Sequence, residues 1–399
     1  MPKQHSTSQL EFVALMASLM SVVALAIDAL LPALDIIGIA LGTIELADNQ
    51  LLITMIFVGL GIGPLIFGPL SDSQGRKPIV YIGFAVFIFA SFICVYASSL
   101  EMMVLGRILQ GVGLSAPRTI SIAIIRDMYE GDYMARIMSF VTAVFILIPV
   151  VAPALGKFIL DHYDWQSIFY IQIVFSLLVA FWFWKRQKET LTPESRISFS
   201  YKIIFSGFRE IFQQGRTIAF TLISGFVVGS FLVYLSSSQQ IFQEQYGLKD
   251  EFPYIFSGLA IVFGFSIFLN AMLVVRYGME KLVTYSLFLF FGASFLYVVL
   301  FYGAPNPSIE VLLIFFALQF FAISFLFGNL RALSMEPVGH IAGIAAAITG
   351  FISTMMAVPI STFIGRYISD TALPLFLGFL GCSFLSLLIL FYVKRYGRK

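Results

Sequence analysis

The sequence predicts an all-α membrane protein of twelve transmembrane helices, arranged as two pseudo-symmetric bundles of six. Three observations carry that reading. The 399 residues are 59% hydrophobic and only 12% charged, with a mean hydropathy of +0.93; that is about half the usual charged share, and a water-soluble fold could not bury so much apolar surface. The apolar residues gather into twelve runs, each long enough to cross about 30 Å of hydrocarbon, in two groups of six around one polar segment. Lys and Arg collect in alternate connections, the asymmetry that keeps basic loops in the cytoplasm.

Taken in order, the first six runs are Phe12 to Leu34, Leu51 to Leu70, Ile79 to Ala97, Met102 to Ile125, Met138 to Leu160 and Ile168 to Trp184. The second six are Ile218 to Gln239, Tyr254 to Val275, Leu282 to Phe301, Val311 to Leu330, Ile341 to Ile364 and Leu373 to Val393. The first run is too long for the apolar region of a signal peptide and no small-residue cleavage site follows it, so it is read as a retained helix. Residues 1–184 and 218–399 form the two bundles, joined by a cytoplasmic linker, residues 185–217. The linker holds Lys185, Arg186, Lys188, Arg196, Lys202, Arg209 and Arg216, with an amphipathic surface helix around Tyr201 to Phe212. Positive-inside bias already explains this basic run, so no nucleic-acid partner is read from it. Lys157, Lys249 and Arg366 fall on the opposite side, which places both termini in the cytoplasm. Cys94 and Cys382 lie far apart within apolar runs and read as small buried hydrophobes.

Between the second and third runs stands Gly68-Pro69-Leu70-Ser71-Asp72-Ser73-Gln74-Gly75-Arg76-Lys77-Pro78. It reads as a tight cytoplasmic loop, with Gly75 permitting the reversal and Asp72 capping the helix that Pro78 opens. A degenerate copy, Arg276-x-Gly278-x-x-Lys281, follows the eighth run and suggests internal duplication.

An ionisable group within a span is costly and marks a cavity or a partner. Asp28 is the deepest carboxylate, about one and a half turns before the outer end of the first run. Burial favours the neutral form of such a group, so Asp28 can take up and release a proton; the alternative is a structural ion pair or a kink beside Pro32. Arg107 lies at a matching depth in the fourth run, which predicts an Asp28–Arg107 pair. Arg118 follows Arg107 by three helical turns, on the same face about 16 Å away. It either snorkels or pairs with a loop acid, or it lines a cavity with Arg107 and attracts an anionic group. The same choice applies to Arg331, beside Asn329 at the inner end of the tenth run. Gln110, Tyr234, Ser237 and Asn270 are candidate polar lining, each with helix–helix hydrogen bonding as the alternative. Pro149 and Pro153 weaken the fifth helix ahead of Gly156, as suits a bending element. The sequence contains no metal-ligand cluster, nucleophile triad or Walker loop, so the chain reads as neither an enzyme nor a nucleotide-driven pump, and a proton gradient is the expected energy source.

The loop Gly-x-Leu-x-Asp-x-x-Gly-Arg-Lys, Arg107-x-x-Gln110-Gly111-x-Gly113 and the Pro149 to Gly156 pattern together resemble the drug:proton antiporters of the major facilitator superfamily. Ala26-Ile27-Asp28, Leu31-Pro32-Ala33-Leu34, Arg126-Asp127-Met128-Tyr129, Phe327-Gly328-Asn329, Glu336-Pro337 and His340-Ile341-Ala342-Gly343 narrow the resemblance to Bcr/CflA-type multidrug exporters, over essentially the whole length. The resemblance implies a major facilitator fold, a monomer in the bacterial cytoplasmic membrane, Asp28 as proton site with Arg107 as its partner, and an inner charge cluster. In that cluster Asp72, Arg76 and Asp127, with Gly68, Gly75 and Lys77 of the loop motif, lock the outward-facing state. Pro149, Pro153 and Gly156 belong to the antiporter motif. Three departures stand out: Lys157 replaces the second glycine of that motif, and Arg118 and Arg331 are each unexpected in an exporter of cations, since like charges repel. The expected function is proton-coupled export of a small amphipathic compound. An alternative cargo is an anionic polycarboxylate metabolite or siderophore, moved in either direction. A receptor built on a transporter scaffold is the third reading.

Overall fold

The computed structural model describes residues 8–396, apart from the side chains of residues 132, 135, 201, 203 and 396. The terminal tails, whose side of the membrane the charge pattern predicts, lie outside the described residues. Among the described residues, eleven apolar helical stretches are long enough to cross a membrane. One of these, Ile309–Gly365, is two helices joined by a 3-10 segment, Glu336–Ile341. The long helices are α1 (Gln9–Asp28), α2 (Leu51–Gln74), α3 (Arg76–Val95), α4 (Leu100–Met128), α5 (Gly131–His162), α6 (Gln166–Arg186), α7 (Gly215–Gln239), α8 (Phe252–Tyr277), α9 (Met279–Phe301), α10 (Ile309–Met335), α11 (Ala342–Gly365) and α12 (Leu373–Tyr396). No strand occurs among the described residues.

The helix ends follow local chemistry. Ser8 caps α1 by accepting from the Glu11 N–H at 3.2 Å, and Ser99 caps α4 by accepting from the Met102 N–H at 3.3 Å. The expected loop at residues 68–78 is in fact almost all helix: α2 runs to Gln74 and α3 begins at Arg76, leaving Gly75 as the whole turn. A φ of 109° at Gly75 reverses the chain in one residue, and Gly278 does the same between α8 and α9 with a φ of 80°. The first predicted span is also corrected. α1 stops at Asp28, a 3-10 turn covers Leu31–Ala33, and a short helix continues over Leu34–Leu41. Pro32 has no N–H to offer the carbonyl four residues back, which belongs to Asp28, so the helix cannot run through.

Without a hydrophobic drive between helices in lipid, close approach through small residues supplies the packing. α2 and α4 meet at Gly59 and Gly111, where an added Cβ would collide with the carbonyls of Ile108 and Ile56. α3 and α4 meet at Gly83 and Gly113. The duplication is visible in matched side chains. Gln110 of α4 donates to Ser91 of α3 at 2.8 Å, and Gln319 of α10 donates to Ser294 of α9 at 2.8 Å. The two groups of six touch through α2 against α11 and α5 against α8. The helix Tyr201–Gln213 in the linker lays Gly207 and Phe208 on α11 and leaves Phe205 and Phe212 exposed.

Candidate functional site

The molecule has two ends: the linker end, with the α2–α3 turn and residues 187–214, and the far end opposite. At the far end the two groups of six are clasped together. Gln50, at the start of α2, donates to Gln240 at 3.0 Å and to the Gly365 carbonyl at 3.3 Å. Lys157 of α5 bridges Asp161, at 2.8 Å, and Asp250 in the α7–α8 connection, at 3.0 Å. At the linker end the ion pairs stay within one group or reach the linker. Arg76 holds Asp72 and, at 2.9 Å, Asp127; Arg216 holds Glu280 at 2.7 Å and Glu336 at 3.0 Å; His340 meets Glu210 of the linker helix at 2.6 Å.

Asp28 sits at the break in α1 and is only 5% exposed. Among the described residues no side chain forms an ion pair or hydrogen bond with its carboxylate. The break rests on α5, because a Cβ at Gly156 would strike the Ala29 carbonyl. Across the interface, Asp28 is within electrostatic reach of Tyr234 on α7. That tyrosine is packed edge-on against Phe316 and Phe320, and its hydroxyl is buried without a partner.

The expected Asp28–Arg107 pair is not formed. The fully buried Arg107 guanidinium donates instead to the carbonyls of Leu52 (2.6 Å) and Ala26 (3.1 Å) and to Gln110 (2.7 Å). It thus ties α4 to α1 and α2. Two backbone carbonyls and an amide hold the guanidinium through Nε and Nη1, and the remaining nitrogen, Nη2, is buried without a partner instead of meeting the carboxylate. Gln110, held between Arg107 and Ser91, belongs to this network and faces no open space.

Arg118 and Arg331 behave differently. Both are exposed, although each lies within an apolar helix. Arg331 lies within electrostatic reach of Arg118. Arg331 stands four residues before the end of α10, at the linker end. One turn further in from Arg331, Phe327 stacks edge-on with Phe231 and Phe263 in a half-buried aromatic wall.

Other expected lining residues turn inward. Ser237 is buried and returns its hydroxyl hydrogen to the Val233 carbonyl at 2.6 Å. Asn329 donates to Asn270 at 2.8 Å, so these two satisfy each other across α8 and α10. α5 is continuous through Pro149 and Pro153. Gly68 lies within α2, and Lys77 reaches the Trp184 carbonyl at 3.3 Å. The Asp72–Arg76–Asp127 cluster is assembled while the far end is closed, and it joins α2, α3 and α4 of one group. Asp72 does not cap α3. The linker residue Glu189 does, accepting from the N–H groups of Arg76 and Lys77, both at 2.9 Å. Glu189, Gln50, Gln240 and Asp250 escaped the sequence reading because they are common polar residues at helix ends or in connections, with no spacing to mark them.

A family model described as Major Facilitator Superfamily matches residues 13–359. The chain is 26% identical over 363 residues to a bicyclomycin resistance protein homolog of Haemophilus influenzae, covering 87% of each chain. It is 27% identical over 325 residues to the multidrug resistance protein MdtL of Shewanella oneidensis, covering 81% of each. The crystal structure of a D-xylose-proton symporter superposes with a TM-score of 0.72 at 15% identity, over 96% of each chain.

Proposed function

The chain belongs to the Major Facilitator Superfamily, and on that premise we propose that it is a proton-coupled secondary transporter exporting a small amphipathic compound across the bacterial cytoplasmic membrane by alternating access. The multi-pass membrane fold and the resistance-protein relatives support the class. The observation that carries the coupling is Asp28, a carboxylate held away from water, free of any cation, at the point where α1 breaks and faces the other group of helices. A carboxylate so placed binds a proton when the path to it is open and releases one when its surroundings change. On the positive-inside rule the linker end lies in the cytoplasm, and the far-end clasp then supports reading the conformation as inward-facing. Rocking about the α2–α11 and α5–α8 contacts would break the far-end clasp and expose the same interior to the outside, in a monomer that draws on the proton gradient alone.

The test is pH-gradient-driven flux in proteoliposomes, read by an internal pH dye while amphipathic compounds of either charge are supplied. Wild type is expected to move protons with at least one compound, and Asp28→Asn to remain folded but lose that flux. Full coupling in Asp28→Asn would remove the proton site from Asp28. No compound-dependent proton movement in wild type would overturn the transporter reading in favour of a receptor.

A further inference from the structure

The linker helix Tyr201–Gln213 is docked on one side and bare on the other. Gly207 sits against Ile344 and Ile348 of α11, and the Phe208 ring meets Phe351 edge-on with 6.2 Å between centroids. These contacts, from Ile344 to Phe351, climb two turns of α11, so the linker helix lies beside a membrane-spanning element and not beneath its end. On the outward side Lys202, Phe205, Arg209 and Phe212 are all exposed, Phe205 by 77% and Phe212 by 64%. Steps of three, four and three residues set them on one face, alternating cation and aromatic ring. Lys202, Phe205, Ser206 and Arg209 line a groove of about 320 Å³, at the lower end of the range of small-molecule sites, roughly 300–1,000 Å³. The carboxylate of this helix, Glu210, is taken by His340 at 2.6 Å. Neither Lys202 nor Arg209 makes an ion pair or hydrogen bond among the described residues.

We propose that this face binds an acidic phospholipid of the cytoplasmic leaflet, with the headgroup phosphate held in the groove by Lys202 and Arg209 and the acyl region against Phe205 and Phe212. Both cations suit a phosphate, the guanidinium through two parallel N–H groups and the ammonium as a point charge. The rings decide which phosphate. A soluble one would satisfy the cations and leave Phe205 and Phe212 in water, whereas a lipid covers the rings as well, at the level where aromatic side chains settle in a bilayer. The inference goes beyond the transporter reading and is independent of Asp28; it needs only the linker end to lie at a membrane surface. A lipid seated here pins the linker helix to the leaflet, while the opposite face of that helix holds α11, one of the helices that moves when the far-end clasp opens.

The experiment is lipid titration of the purified full-length protein in neutral detergent, read by melting temperature and by hydrogen exchange over residues 201–213. The probes are phosphatidylglycerol, phosphatidylcholine and inorganic phosphate. Phosphatidylglycerol is expected to raise the melting temperature and slow exchange in the linker helix, with an apparent affinity at least ~5-fold weaker in Lys202→Gln and in Arg209→Gln. Lys202→Arg, which keeps the charge, is expected to retain it. The unliganded melting temperature of each variant reports folding; if a glutamine variant does not fold, Phe205→Ser carries the test, since it is expected to weaken lipid binding with both cations in place. Equal protection of residues 201–213 by phosphatidylcholine, or by phosphatidylglycerol in wild type and both glutamine variants, would overturn the headgroup site. Protection by inorganic phosphate alone would make the groove a site for soluble anions and overturn the lipid. Asp28→Asn is expected to bind phosphatidylglycerol as wild type does, which separates failure of the proton site from failure of the lipid site.

Discussion

A lone ionisable residue in an apolar helix is easy to see in a sequence, and what satisfies it is not. Asp28, Arg107, Arg118 and Arg331 were all legible because each breaks a run of apolar residues. Depth along a helix could be counted, and it placed Asp28 level with Arg107; the direction each side chain takes around its helix could not. Backbone carbonyls near the break in α1 and the start of α2 are invisible to such counting, yet they, with Gln110, take up Arg107. Gln110→Leu should remove one of the two acceptors of Arg107 Nη1, leaving only the Ala26 carbonyl, and the amide donor to the Ser91 oxygen, lowering stability by about 1–3 kcal/mol in thermal unfolding in detergent. Gly59→Ala should cost a similar ~1–3 kcal/mol, because the obstructing atom is the Ile108 carbonyl, which no rotamer change can move. A melting temperature unchanged from wild type in either variant would show that the interface relaxes more freely than its geometry allows.

Helices were legible because each needs about twenty apolar residues to cross the membrane, whereas their junctions depend on one or two residues and on chain from elsewhere. The second and third helices were read as ending at a loop, but Gly75 is the entire turn and the start of α3 is closed by Glu189, more than a hundred residues away. No local pattern around Gly75 points to that carboxylate. Glu189→Ala should expose the first N–H groups of α3, cost about 1 kcal/mol as lost caps do, and loosen the linker from the first six helices. Hydrogen exchange is expected to accelerate at Arg76 and Lys77 and across residues 187–197. Acceleration confined to the linker would mean that α3 holds its own first turn. The break after Asp28 was foreshadowed by Pro32, although the apolar pattern of the span runs through it unbroken.

At the scale of the whole chain, the division into two groups of six was read from a single polar segment dividing the apolar runs. Which end stands open was not, since alternating conformations of one sequence differ by only a few kcal/mol and share the same helices. The far-end clasp is made of one amide pair and a carbonyl contact, each worth about 1 kcal/mol, and an ion pair that solvent screening at the exposed Asp250 makes worth less. Gln50→Ala with Asp250→Ala should thus raise the far-end-open population by roughly fivefold or more. Spin labels at Asp164→Cys and Tyr302→Cys, in connections at that end, would report it as a gain of longer distances; an unchanged distribution would place the closing energy elsewhere. The Gln–Ser pairs that mark the duplication also serve as an internal ruler. Stepping three residues back and eight forward from Gln110 reaches Arg107 and Arg118, and the same steps from Gln319 reach Phe316 and Phe327. The same frame thus carries cations at these two positions in the first copy and phenylalanines in the second, so its two sides differ in chemistry at both steps: Arg107 against Phe316 in the interior, and Arg118 against Phe327 where the helices are less covered.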